Sequence, residues 1–218
     1  PHHAKDWSQD VKNKIIANLS QPKVLAIGET GLDYYYSKSE HSKQIEVFEE
    51  QLQIAIDYKK PVVIHTRDAD ADTINILKKY GPRMNQKAVL HSFTSSLELA
   101  KVALDLGFYI GVNGIVTFPK ADNVRETVRY APIEQLILET DAPFLTPAPF
   151  RGHENAPYYL PLIAQKVAEE KNLDLNHVID QTTTNAKNLF FFFFILDKDL
   201  KHCHLLLLKN GNIDYKNP

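Results

Sequence analysis

Two histidines, a glutamate and an aspartate stand at corresponding places along the chain. Glu29 follows Val24-Leu25-Ala26-Ile27-Gly28, His65 ends Pro61-Val62-Val63-Ile64, and His91 ends Ala88-Val89-Leu90. Asp141 follows Leu136-Ile137-Leu138-Glu139-Thr140. Short apolar runs of this kind read as strands buried on both faces. Gly28 and Gly31 are expected to end the first run in tight backbone geometry, which puts Glu29 where a buried strand stops. A carboxylate there needs a cation, a donor or a metal, because desolvating it is costly. Each residue alone has an ordinary explanation. A histidine at a strand end is usually hydrogen-bonded, a glutamate in a turn caps or pairs, and an aspartate before Ala-Pro stabilises a turn. As a set, two imidazoles and two carboxylates are the N/O donors that suit Zn²⁺, Mn²⁺ or Mg²⁺. Metal binding is the chemistry that unites them.

These residues need a scaffold that brings distant strand ends together. Apolar spacing predicts helices over 8–19, 40–59, 70–80, 97–106, 122–130, from Leu160 to about Ala168, and about 174–189. Ser8 is placed to cap the first, and Gly107 to end the fourth. Between them, strands are expected to end at 27, 64, 90, 112 and 138. Strand alternating with helix implies parallel βαβ units, with polar groups at the carboxyl rim where such folds bind ligands. Five strands can be counted, and an eight-stranded barrel requires three more.

Composition narrows the field. The chain has 218 residues, of which 44% are hydrophobic and 24% charged, enough for one substantial core. A net charge of −2 carries no global basic field, so nucleic-acid binding would have to be local. The single cysteine, Cys203, excludes an internal disulfide and fits a reducing compartment, expected to be the cytoplasm. The first residues have no apolar signal region, and no run reaches the roughly 18 residues of a membrane span, so no membrane association is expected. From Phe190 the character changes: five consecutive phenylalanines, then His202-Cys203-His204 and Leu205 to Leu208. Neither apolar block has a period of a helix or strand, so 191–218 is read as a low-complexity tail. Zinc binding by His202, Cys203 and His204 is disfavoured, since adjacent residues rarely converge on one metal and a fourth ligand is lacking.

Six segments in order resemble the signatures of the TatD family of metal-dependent deoxyribonucleases. They are Gly28-Glu29-Thr30-Gly31-Leu32-Asp33-Tyr34-Tyr35, Ile64-His65-Thr66-Arg67-Asp68-Ala69, His91-Ser92-Phe93-Thr94, Gly111-Val112-Asn113-Gly114-Ile115-Val116-Thr117-Phe118, Glu139-Thr140-Asp141-Ala142-Pro143 and Arg151-Gly152-His153-Glu154-Asn155. The resemblance covers residues 1–190 and implies an α/β fold, a distorted TIM-type (β/α)8 barrel of the amidohydrolase group. It also implies two catalytic divalent ions and hydrolysis of phosphodiester bonds in DNA, single-stranded or at ends. Glu29 would bridge both ions, with His65 and His91 completing one; Asp141 would hold the other and take a proton from water. His2 would touch substrate. Arg67 is a planar donor suited to a phosphate oxygen, or else an ion-pair partner of Asp68 or Asp70. Arg151 is a weaker candidate of the same kind. Tyr34, Tyr35 and Tyr36 either stack bases or pack the loop.

The sequence also departs from the family pattern. It lacks an opening Asp-Thr-His-x-His, and Pro1-His2-His3 resembles the end of a later segment, Gly-x-His-Pro-His. A barrel of roughly 250 residues would exceed the matching region by roughly 60. The expectation is a barrel incomplete at the N-terminus, with impaired activity. His153 and Ala156 vary the pattern of the Pro-rich loop. Other classes remain open: an amidohydrolase-type enzyme acting on a small ester or amide, a non-catalytic metal-binding fragment, or a module assembled with another chain. No stable protein partner is evident from the sequence.

Overall fold

Each apolar run becomes a strand of one parallel sheet. The structure, a computed structural model, describes residues 1–36 and 40–190. The strands are β1 (Ile27–Asp33), β2 (Val62–Arg67), β3 (Ala88–Leu90), β4 (Tyr109–Val112) and β5 (Leu136–Leu138), hydrogen-bonded in the order β1-β2-β3-β4-β5. The helices are α1 (Gln9–Asn18), α2 (His41–Asp57), α3 (Asp70–Tyr80), α4 (Leu97–Asp105), α5 (Asp122–Tyr130), α6 (Leu160–Lys171) and α7 (Leu175–Phe190). From α2 onward each helix packs on the next in sequence. Strands in chain order, ringed by helices in chain order, are the architecture of a TIM-type barrel, of which five strands lie among the described residues.

The main core fills the layer between sheet and helices. Phe48 and Leu52 of α2, Leu77 of α3 and Leu99 of α4 are fully buried there against Ile64, Leu90 and Leu136 of the strands. Each such side chain contributes about 2–3 kcal/mol by leaving water. The opposite face of the sheet holds a smaller cluster, Val63, Val89, Tyr109 and Ile137, closed by Ala186, Leu189 and Phe190 of α7. Asn185 fixes α7 to the sheet edge, donating from Nδ2 to the Ile133 (2.7 Å) and Leu136 (2.8 Å) carbonyls.

Local signals act as expected in several places. The Ser8 hydroxyl accepts from the Val11 amide at the start of α1, and Gly107 leaves α4 with φ +74°. The first strand differs from expectation. It does not stop at Ile27 but runs to Asp33, with its register to β2 slipping between Ile27 and Thr30. Glu29 therefore sits in a bulge inside the strand. Gly31 continues the pairing because its φ of +122° and its lack of a Cβ allow the backbone to lie against the His65 carbonyl. β2 likewise extends past Ile64, so His65 lies within it. The tail from residue 191, with His202, Cys203 and His204, lies outside the described residues. Among the described residues no helix is long and apolar enough to cross a membrane.

Candidate metal centre

The side-chain period of a strand is two, and this parity gathers the site. Along β2, Val62, Ile64 and Thr66 are buried toward the helices, while Val63, His65 and Arg67 alternate onto the other face. His91 stands two residues after Val89, and Glu139 two after Ile137, on that same inner face. Above the small apolar cluster, the rim is thus lined by polar groups.

Glu29, His65 and His91 converge. Glu29 Oε1 lies 2.9 Å from His65 Nδ1 and 3.4 Å from His91 Nε2, and the two rings are 5.6 Å apart. The His65 and His91 imidazoles beside it hold the Glu29 carboxyl far below the usual carboxylate range, against the opposing effect of burial. Burial pushes the His91 imidazolium down, but Glu29, Glu139 and Asp141 outweigh it and leave His91 above its ordinary value. His91 Nε2 is buried with no hydrogen-bond partner. Such an orphaned nitrogen costs about 1–3 kcal/mol and calls for an explanation. Facing a carboxylate oxygen and a second imidazole nitrogen, it fits a divalent cation held by Glu29, His65 and His91.

A second cluster adjoins the first through His65. Asp33 is fully buried at the end of β1. Its Oδ2 accepts from His2 Nε2 (2.8 Å) and His65 Nε2 (3.0 Å), and its Oδ1 accepts from the Tyr35 (2.9 Å) and Tyr36 (2.8 Å) amides. Burial raises the Asp33 carboxyl, yet the Tyr36 amide and the two histidines outweigh it and hold it below its usual value. Sequence reasoning placed His2 near substrate but missed Asp33. The available signal was parity, since Asp33 is two residues beyond Gly31.

On the β5 side, Glu139 was also missed. Its Oε1 accepts from the Ser92 amide, and its Oε2 is 3.8 Å from His91 Nδ1. Burial raises the Glu139 carboxyl above its ordinary range. Gly111 leaves room for it, since a Cβ there would lie 2.5 Å from Glu139 Oε1. Asp141 is exposed in the following loop at φ +59°, and its charge acts on His91 and Glu139 through space. Among the described residues it does not join a group of three or more such side chains whose ligand atoms all lie within 4.8 Å of one another. Asp68 and Ser92 share its left-handed backbone, so three of the strands end in sparsely populated geometry at this rim.

The loop that carries Asp141 is braced by Asn155. Its Nδ2 donates to the Thr140 (2.7 Å) and Phe144 (2.6 Å) carbonyls, and its amide donates to the Pro143 carbonyl (3.0 Å). Arg67 makes no ion pair with Asp68 or Asp70 within the described residues. Its guanidinium stacks 3.8 Å from the Tyr35 ring centre and 4.7 Å from that of Tyr36, both rings being more than half exposed. Tyr34 instead packs, stacked on His41 and bonded through its hydroxyl to Asp72. Arg151 lies over the Phe118 ring at 4.1 Å and has no contact with the Glu29 cluster among the described residues.

With this geometry in view, similarity to known proteins becomes informative. The family described as TatD related DNase matches residues 1–191. The uncharacterized metal-dependent hydrolase YabD of Bacillus subtilis is 43% identical over 190 residues, covering 87% of this chain and 74% of that protein. An uncharacterized metal-dependent hydrolase of Buchnera aphidicola is 44% identical, over 84% of this chain and 69% of its own length. The 3'-5' ssDNA/RNA exonuclease TatD of Pantoea ananatis is 36% identical, over 87% and 75%. Among solved structures, the TatD homolog YjjV from Escherichia coli superposes with a TM-score of 0.78 at 29% identity, over 86% of this chain and 73% of that one. A family match over nearly all the described residues, joined to two metal-dependent hydrolases above 40% identity, shows that the chain belongs to the TatD family and is a metal-dependent hydrolase.

Proposed function

We propose that the protein is a divalent-metal-dependent nuclease that hydrolyses phosphodiester bonds of DNA, single-stranded or at ends. The observation that carries this reading is the convergence of Glu29 Oε1, His65 Nδ1 and the orphaned His91 Nε2 in a TatD-family chain. The name of the Pantoea relative, a single-strand exonuclease, supports the substrate class.

Glu29, His65 and His91 would hold one divalent ion, Mg²⁺, Mn²⁺ or Zn²⁺, and Glu29 with Asp141 a second. Such ions supply charge that polarises a phosphoryl oxygen and acidifies water. The chain's own groups do the rest. Asp141, exposed at the rim, accepts the proton of the attacking water at its carboxylate. His2, held by Asp33 beside His65, would meet a substrate phosphate. Arg67 presents its guanidinium beside the site, and the exposed rings of Tyr35 and Tyr36 offer stacking faces to unpaired bases. Arg151 on the Pro-rich loop is a more remote phosphate contact. The hydrolase unit is residues 1–190, with 191–218 outside it.

The test compares cleavage of a short single-stranded oligonucleotide, the same duplex and a simple aryl ester, with and without chelator. Chelator-sensitive release of nucleotides, restored by Mg²⁺ or Mn²⁺, is expected. Ester turnover with intact DNA would overturn the nuclease reading.

A further inference from the structure

Asp33 is fully buried with four hydrogen bonds to its carboxylate, and its position relative to His65 defines a role. An ionised carboxylate only accepts hydrogen bonds, so the His65 nitrogen 3.0 Å from Asp33 Oδ2 must carry a proton. That nitrogen is Nε2. In the neutral ring the lone pair then lies on Nδ1, which faces Glu29 Oε1 at 2.9 Å. A lone pair directed at a carboxylate is repulsive unless a cation lies between them. Asp33 therefore creates, on the far side of the imidazole, the electron-rich gap that a divalent ion fills.

We infer that Asp33 is a positioning residue that fixes His65 as the Nε2–H tautomer, with Nδ1 aimed at the metal gap beside Glu29. The inference rests on the metal-centre reading above and extends it to a residue that touches no ion. Two features make Asp33 suited to this. It is fully buried, so water does not compete for His65. Its other oxygen is occupied by the Tyr35 and Tyr36 amides, which prevents the carboxylate from turning away. His2 shares Oδ2 at 2.8 Å, so the same oxygen orients the second ring, 5.7 Å from His65. A carboxylate behind a metal-binding histidine sets the tautomer and raises ligand basicity, and its loss typically costs about 10–100-fold in metal affinity.

The decisive variant is Asp33→Asn. Asparagine keeps its oxygen toward the two amides and turns its NH₂ toward His65, opposing the Nε2–H. The experiment pairs calorimetric Zn²⁺ titration with two-bond proton–nitrogen spectra of the Zn²⁺-loaded, ¹⁵N-labelled chain, His65 being assigned by comparison with His65→Gln. In the unaltered protein His65 is expected as Nε2–H. In Asp33→Asn that signal should disappear and Zn²⁺ affinity should fall about 10–100-fold, while the metal-free melting temperature changes little. A proton on Nδ1 of His65 in the unaltered protein overturns the inference, and so does Zn²⁺ binding by Asp33→Asn as tight as in the parent. A lowered melting temperature with unchanged affinity would mark Asp33 as a turn anchor only. Should the variant fail to fold, the spectrum of the unaltered protein decides alone. Absence of Zn²⁺ binding by the unaltered protein removes the metal-centre reading itself, a result distinct from equal binding by parent and variant.

Discussion

The β1–β3 side of the rim and the β5 side both present carboxylates, but they hold them differently. Glu29 and Asp33 lie within a paired strand, and their oxygens face histidines from the neighbouring elements. Asp141 lies in a loop, at left-handed φ, its carbonyl accepting from the Phe144 amide (2.9 Å) in a turn that Asn155 braces. The first side is built for fixed geometry, because strand pairing places Glu29 and Asp33 and the Asp33 carboxylate engages both the His2 and His65 rings. The second combines a half-buried carboxylate, Glu139, with an exposed one, Asp141, that remains accessible to water. On the proposed reading, fixed ligands on one side and an accessible base on the other would be the division of labour that metal-assisted hydrolysis requires.

Four measurements test this difference between the two sides. The largest effect is expected from Asp141→Asn. Asparagine keeps the shape but accepts no proton, so turnover on DNA at saturating metal should fall about 10²–10⁴-fold. Zn²⁺ affinity at Glu29, His65 and His91 should survive. Near-normal turnover would move the base elsewhere and collapse the distinction between the two sides.

Asn155→Ala attacks the brace. It strands the Thr140 and Phe144 carbonyls and should lower stability by about 1–3 kcal/mol. Denaturant unfolding measures that loss, and turnover should fall alongside it because the Asp141 loop loosens. Reduced stability with full turnover would show that the loop's position does not depend on the brace.

The third test uses pH on the metal-free chain. Glu29 is depressed in the folded state, so its contribution is present above its ordinary 4.5 and is lost as pH falls through the folded value. His91 is raised, so its contribution is present below its ordinary 6.5 and is lost as pH rises through the folded value. Both contributions therefore coexist between 4.5 and 6.5, and the melting temperature is expected to peak in that window. A profile rising steadily to pH 8 would show that the pair contributes nothing to folding.

The smallest effect concerns residues 195–218. Their removal should leave thermal unfolding nearly unchanged, as expected of a segment without periodicity outside the hydrolase unit. A large fall in melting temperature would place the tail in the core.

Much of the scaffold was legible because its signals are local. Apolar spacing gave α3 and α5 over the residues at which they form and the end of β4 at Val112, and Ser8 and Gly107 act where capping chemistry places them. Glu29, His65 and His91 were legible as candidates because each follows an apolar run. The extent of β1 was not, because glycines ordinarily interrupt strands. Gly31 instead lets the backbone approach His65 closely, a contact made with a residue 34 positions away.

The parallel βαβ order, the residues of ligand type and the family are legible in the amino-acid sequence, since these depend on period, residue chemistry and motif order. The tertiary structure decided which ligand-type residues meet. Asp33 and Glu139 enter the site beside Glu29, His65 and His91, because strand parity and register fix which face each side chain takes. It also decided that Arg67 stacks on Tyr35 and Tyr36 rather than pairing with a nearby aspartate. Register and ring stacking arise from contacts between distant segments, and no local window of sequence contains them.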